Sequence, residues 1–236
     1  MDQSFRNVVD VKKEEPILIT ESMLVKEPAN ALIDFEKGLS YFPRLTLCLI
    51  LVNVVVFFWE VFGGALETPE SLIKAGALYR EFIFQGEVWR LLTAIFLHAD
   101  GGHLIGNGVA LYILGMTCEH ALGFRQSFRI YFLSGLAGSA LSICMNPGPG
   151  VGASGAIFGL MASVIVFFFL YGDKFLLRDK RIGLVLGVWA IYSIASGFLT
   201  PYIDNFAHIG GFIGGSIVAF FSTPKRITAS AISSKS

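Results

Sequence analysis

Charge is scarce in this chain: Asp, Glu, Lys and Arg supply 15% of its 236 residues, where soluble domains carry about 25%. Acidic and basic residues balance at 18 each, giving a formal net charge of zero. Nothing in that balance points to a nucleic-acid partner. Cysteine is also sparse. Cys48, Cys118 and Cys144 lie scattered in or beside apolar runs, which suits neither a disulfide framework nor a zinc spacing. They read as small packed hydrophobes. Of the four histidines, His120 falls at the opposite end of its apolar run from the others, and His98, His103 and His208 have no carboxylate clearly among them. No metal site and no cofactor are expected. The first 40 residues mix acids and bases without an apolar run, so no cleavable signal peptide is expected. Repeats and low-complexity tracts are lacking as well.

What the chain has in abundance is apolar sequence, with 54% hydrophobic residues and a mean hydropathy of +0.65. It is concentrated in six segments, at about 44–63, 103–121, 127–145, 152–171, 183–199 and 204–222. Crossing a bilayer takes about 20 helical residues, and only a helix or a closed barrel satisfies its own backbone in lipid. The expectation is an all-α polytopic membrane protein with six transmembrane helices. It divides into an N-terminal tail (1–43), a membrane domain (44–222) and a C-terminal tail (223–236). Residues 29–42 admit either a short helix lying on the membrane surface or a flexible tail, and the last dozen residues read as disordered. The link from about 64 to 102 is long for a connection, so it is either functional or disordered. Its Leu72, Leu78, Tyr79, Phe82, Phe84 and Trp89 favour a packed loop that dips partly into the membrane.

Lys and Arg concentrate on the cytoplasmic side of membrane proteins. Both tails and the second–third and fourth–fifth links carry fifteen of them, against Lys74, Arg80 and Arg90 on the other side. Both termini are therefore expected in the cytoplasm. Polar residues inside spans are costly and mark functional sites. The short set here is Asn53, Glu60, His103, Asn107, Ser154 and His208, with Asp204 and Asn205 at a boundary. With the N-terminus inside, His103, Ser154 and His208 all fall at a shallow depth from the outer face. A Ser and a His at one depth on two helices can form a nucleophile–base pair. His103 and Asn107, four residues apart on one face, and the Ser154 N–H can donate to the oxyanion that such an attack creates. Blander roles exist for each. A membrane Ser commonly bonds back to its own helix, and His or Asn can simply tie helices together. Gly210, Gly211, Gly214 and Gly215 form two interleaved GxxxG pairs, which let helices approach closely.

Gly152-Ala153-Ser154-Gly155 at the head of an apolar run resembles the GxSG motif of the rhomboid family. Ala207-His208-Ile209-Gly210, followed by Gly214, is similar to that family's last-helix motif. His98, His103 and Asn107 match its HxxxxHxxxN on the second core helix, and Trp89-Arg90 its Trp-Arg pair in the first long loop. The resemblance covers about residues 44–222. It implies an intramembrane serine protease with a Ser154–His208 dyad and an oxyanion hole from His103, Asn107 and the Ser154 N–H. His98 would be structural, Trp89 and Arg90 would belong to a loop half in the membrane, and the fifth helix would gate the substrate.

One position departs from the pattern. Many rhomboids have Tyr one turn after the serine, stacked on the histidine, and this chain has Phe158. Phe keeps the aromatic face and loses the hydroxyl, so activity is expected to survive. Asp204, four residues before His208, is either an N-cap or a third member that orients the imidazole. A transporter would place polar groups near the midplane, usually with repeat symmetry. A proteolytically inactive relative typically lacks the Ser or the His, and both are present. Transmembrane proteins are the expected substrates, cut where a helix is weak and after a small residue, with the bilayer as the other partner. The bacterial inner membrane is the expected location.

Overall fold

The computed structural model describes residues 32–224 apart from 147 and 202. The expectations for most of the N-terminal tail, and for a disordered C-terminus, lie outside the described residues. Among these, six helices are 16 to 22 residues long: α1 (Arg44–Phe62), α5 (Gly101–Leu122), α6 (Phe124–Met145), α7 (Ser154–Tyr171), α8 (Leu177–Gly197) and α9 (Asn205–Phe220). Three short helices occupy the long link: α2 (Pro69–Ala75), α3 (Arg80–Phe84) and α4 (Arg90–Thr93). Two isolated bridges, Ile33 with Phe175 and Leu78 with Gly150, are the only extended pairings among the described residues. The all-α expectation holds. α1, α6 and the helical run 154–174 are long and apolar enough to cross a membrane, with α9 as a shorter apolar helix. Large apolar side chains turn outward, among them Leu51, Phe58, Trp189, Ile191 and Ile217. Water would penalise such a surface, whereas lipid accepts it. The protein is a multi-pass membrane protein.

α7 is the central helix, buried along most of its length and packed against α5, α6, α8 and α9. The interleaved glycines serve two different neighbours. Gly211 and Gly215 face the backbone of Gly155 and Gly159 on α7. Gly210 and Gly214 face α6, where added Cβ atoms would lie 2.6 Å from Ala137 O and 2.8 Å from Ala137 Cβ. The stripe thus seats α9 in the groove between α6 and α7, and not against α7 alone.

α8 begins six residues before the apolar segment at 183–199, because its first turn, Leu177-Arg178-Asp179-Lys180, is charged yet helical. Asp179 is buried there and accepts the Phe35 N–H at 2.8 Å. Residues 32–42 contain no helix. Ile33 N donates to Lys174 O at 2.7 Å and Leu176 N to Ile33 O at 3.1 Å. The Phe35 ring is buried against Phe167, Phe168, Phe175 and His120. This strap fastens the ends of α5, α7 and α8 together. At the same end, the Glu119 carboxylate accepts Leu45 N (3.3 Å), Thr46 N (2.8 Å) and Thr46 Oγ1 (2.6 Å). It caps α1, whose own preceding residue, Pro43, offers no side-chain cap.

The 64–102 link packs, as its apolar content suggested. Arg90 is buried, with Nε on Glu87 at 2.6 Å and Nη1 on the carbonyls of Ile73 (2.5 Å) and Ala77 (3.0 Å). Its guanidinium lies over the Phe82 and Trp89 rings at 4.7 and 4.6 Å. One arginine therefore holds α2, α3 and α4 in a single folded loop.

Candidate active site

Three helix N-termini meet at the end of the bundle opposite the strap. Ser154 is the first residue of α7. His208 lies in the first turn of α9, which Asp204 caps by accepting Ala207 N at 3.0 Å. The His208 Nε2 and Ser154 Oγ are 2.9 Å apart. The Phe158 ring stacks on the imidazole, with centroids 4.2 Å apart and planes within 10°. This leaves the ring little freedom to tilt away from Ser154. Phe158 therefore supplies the stacking face without a hydroxyl.

His208 Nδ1 is buried and has no hydrogen-bond partner among the described residues. The Asp204 carboxylate is turned elsewhere, to Ala207 N and to the Ser142 hydroxyl. Of the two readings of Asp204, the structure favours the N-cap. With Ser154 O–H as donor, Nε2 is the acceptor and the proton of a neutral imidazole sits on Nδ1.

The third N-terminus is that of α5, capped by Asp100 through His103 N at 2.8 Å. Its first two turns carry His103 and Asn107 toward Gly152. A Cβ added at Gly152 would lie 2.7 Å from His103 Cε1 and 3.4 Å from Asn107 Nδ2. Gly152 also has φ +123°, a conformation that side-chain-bearing residues rarely adopt. Its N–H donates to Ala94 O at 2.9 Å, and Leu78 exchanges both backbone hydrogen bonds with Gly150 at 2.9 Å. The loop after α2 thus holds the strand-like run 150–152 that leads into Ser154.

His98 is not on the second long helix; it precedes α5 by three residues. It is fully buried, with Nδ1 on Phe96 O at 3.2 Å and Nε2 accepting from Asn107 Nδ2 at 3.1 Å. Burial, with His103 beside it, pushes its pKa down to about 4, so it acts as a neutral acceptor. It fixes the direction of the Asn107 amide. Glu60, also fully buried, accepts the His98 N–H with both oxygens at 3.2 Å. Glu60 stood out in the sequence as a carboxyl inside a span, but nothing there tied it to His98. Trp89 and Arg90 do not reach the Ser–His pair and belong to the loop fastening.

Together these groups present a hydroxyl with its base in place and donors grouped on one side of it. That arrangement is suited to acyl transfer.

The rhomboid domain family model matches residues 85–225. Among curated proteins, rhomboid protease GluP of Bacillus subtilis (strain 168) is 39% identical over 178 residues, covering 75% of this chain and 34% of GluP. RHOMBOID-like protein 5 of Arabidopsis thaliana is 37% identical over 158 residues, covering 64% of this chain and 49% of that protein. Rhomboid protease AarA of Providencia stuartii is 30% identical over 209 residues, covering 78% of this chain and 74% of AarA. The chain thus spans about a third of GluP and about half of the plant protein. From residue 85 onward it is matched in one continuous stretch that contains Ser154, His208, His103 and Asn107, and the chain belongs to the rhomboid family.

Proposed function

We propose that this protein is an intramembrane serine endopeptidase that hydrolyses a peptide bond in or near a transmembrane segment of other membrane proteins. The observation that carries the reading is the 2.9 Å contact between His208 Nε2 and Ser154 Oγ, on two helices held together through glycine. The names of GluP and AarA, both rhomboid proteases, support it.

In the acylation step Ser154 Oγ bonds to the substrate carbonyl carbon while its proton passes to His208 Nε2. The carbonyl oxygen becomes an oxyanion that takes hydrogen bonds from the Asn107 amide, the His103 ring and the Ser154 N–H. Loss of one such donor costs about 100- to 1,000-fold in a soluble model protease. The C–N bond then breaks, and the imidazolium returns the proton to the departing amine. Water repeats the sequence on the acyl-enzyme and frees Ser154. His98, Gly152 and Phe158 hold these groups in register.

The division into tails and a membrane domain of six spans, 44–222, belongs to the same proposal. The Lys and Arg distribution supports cytoplasmic termini, and a bacterial inner membrane is the proposed location. The site would then lie just inside the outer leaflet. A helical substrate bond is shielded by its own hydrogen bonds, so the segment cut must unwind, which Gly, Pro or polar residues favour.

The test is cleavage of a detergent-solubilised transmembrane substrate by the wild type and by Ser154→Ala and His208→Ala. Cutting by the wild type alone supports the dyad. Equal cutting by either variant refutes it.

A further inference from the structure

At the strap end of the bundle, away from Ser154, the start of α1, the end of α5 and the start of α6 wall a cavity of about 460 Å³ that opens to one side. Small-molecule sites run from about 300 to 1,000 Å³. Two side chains of opposite charge line it: Arg44, the first residue of α1, and Glu119, in the last turn of α5. They do not pair with each other. Arg44 is exposed and in no ion pair among the described residues. Glu119 Oε1 accepts both Thr46 N and Thr46 Oγ1, but Oε2 accepts only Leu45 N, at 3.3 Å, and so keeps acceptor capacity. Ser40 Oγ, also in the wall, accepts Phe42 N at 3.2 Å, which leaves its O–H to donate. His120 has its Nε2 proton on Phe35 O at 2.6 Å. We propose that this cavity seats the headgroup of a phosphatidylethanolamine, with the phosphate on Arg44 and Ser40 and the primary ammonium on Glu119.

Charge complementarity selects the headgroup. An arginine and a carboxylate that share a cavity without pairing suit a ligand that carries both signs. A primary ammonium has three N–H donors for a carboxylate and can also lie over the exposed Phe42 and Phe124 rings in the wall. The trimethylammonium of phosphatidylcholine has no donor to offer Glu119. Phosphatidylglycerol brings no cation and leaves Glu119 facing a like charge. Two apolar rows favour a lipid over a soluble phosphoester. Leu47 and Leu51 follow Arg44 at i+3 and i+7 on α1, and Phe128 follows Phe124 at i+4 on α6; all are exposed and share their helix faces. Both helices begin at the cavity and are long and apolar enough to cross a membrane. The rows therefore lead from the cavity into the bilayer, as the acyl chains below a seated headgroup must. Such a lipid would tie α1, α5 and α6 together at the end opposite the Ser–His pair, so the proposal stands independently of the protease reading.

The experiment uses the full chain, delipidated in detergent, with phosphatidylethanolamine, phosphatidylcholine and phosphatidylglycerol of identical acyl chains. Native mass spectrometry counts the lipids retained, and thermal melting follows their effect. The wild type is expected to hold one phosphatidylethanolamine about tenfold more tightly than either other lipid, as for one hydrogen bond to a charged group. Its melting temperature should rise with the concentration of that lipid. Arg44→Gln, at an exposed position, should fold and lose the tenfold preference. Glu119→Gln keeps an oxygen for Thr46 but removes the charge, and should bring phosphatidylethanolamine down to the level of phosphatidylcholine. Phosphoethanolamine, the headgroup without chains, should give no melting shift at the same concentrations. An equal shift would make the ligand a soluble phosphoester and overturn the lipid. Equal retention of the three lipids, a preference for phosphatidylglycerol, or a phosphatidylethanolamine preference that persists in Arg44→Gln also overturns the proposal. If Glu119→Gln does not fold, the lipid comparison and Arg44→Gln still decide.

Discussion

Replacing Gly152 with alanine tests the proposed oxyanion site through a single methyl group. The new Cβ would lie 2.7 Å from His103 Cε1, 2.8 Å from Nε2 and 3.4 Å from Asn107 Nδ2. Carbon atoms in ordinary contact sit about 3.5–4.0 Å apart, so the His103 ring must retreat by about 1 Å. A misplacement of that size in a positioned group costs about 100-fold in rate, comparable to losing one oxyanion donor. The backbone at φ +123° adds strain of about 1–3 kcal/mol for a residue with a side chain. The expected result is a folded protein, modestly less heat-stable, whose kcat on a fixed transmembrane substrate falls about 100-fold. Gly106→Ala is the control. Outside its own stretch of helix nothing lies within 4 Å of the new Cβ, so cleavage should be unchanged, and the helix should gain about 1 kcal/mol in propensity. A Gly152→Ala protein that melts as expected but cuts within twofold of the wild type would refute the placement of His103 and Asn107 as donors.

Three further outcomes follow from the geometry. Phe158→Ala removes the ring stacked 4.2 Å from His208 and should lower kcat about tenfold, given the ~0.5–1.5 kcal/mol of such pairs; Phe158→Tyr should keep most of the rate in the same steady-state assay. Glu60→Ala strips the buried His98 N–H of its acceptor, for about 1–3 kcal/mol of stability, and lets His98 drift from Asn107. Glu60→Gln, with one oxygen kept, should restore most of both, read by thermal melting and kcat together. In the strap, Arg178 beside Asp34 holds that carboxyl below its ordinary value of 3.8, so the pair contributes above about pH 3.8 and fades as pH falls through the lowered value. Because both groups are exposed, Asp34→Asn should leave the melting temperature at neutral pH nearly unchanged, whereas Asp179→Ala, which strands the buried Phe35 N–H, should lower it clearly.

The long helices were legible because apolar length needs no partner to be read, and their ends were misjudged where charge continues a helix. α8 is the example: Arg178, Asp179 and Lys180 fall outside any apolar window, yet Asp179 is buried because Phe35, 144 residues away, supplies it with a backbone donor. The strap was illegible for the same reason. Nothing local in residues 32–42 shows that Ile33 pairs with Phe175. Ser154, His208 and His103 were legible as costly polar groups at one depth, and Asn107 as the residue one turn from His103 on the same face; the structure pairs His208 with Ser154 and carries His103 and Asn107 beside Gly152, two residues before Ser154. The groups behind them were not. Glu60 behind His98, Leu78 beside Gly150 and Ser142 on Asp204 are contacts between distant segments of types that occur throughout proteins.

That division has a physical origin. The polar groups at the site sit at helix N-termini, where unpaired N–H groups and local caps such as Asp100 and Asp204 tolerate polarity that mid-span positions would not. Spacing within a single turn therefore reports them. Their mutual placement depends instead on how closely three helices approach. That distance is set by absent side chains at Gly152, Gly155, Gly159, Gly211 and Gly215, each facing backbone or site atoms of a neighbouring helix. A Cβ at Gly155, Gly159, Gly211 or Gly215 would push α7 and α9 apart, and the 2.9 Å contact of His208 with Ser154 would open although neither residue had changed; one at Gly152 would displace the His103 ring instead. The dyad is thus as much a property of the glycines as of the two residues that compose it.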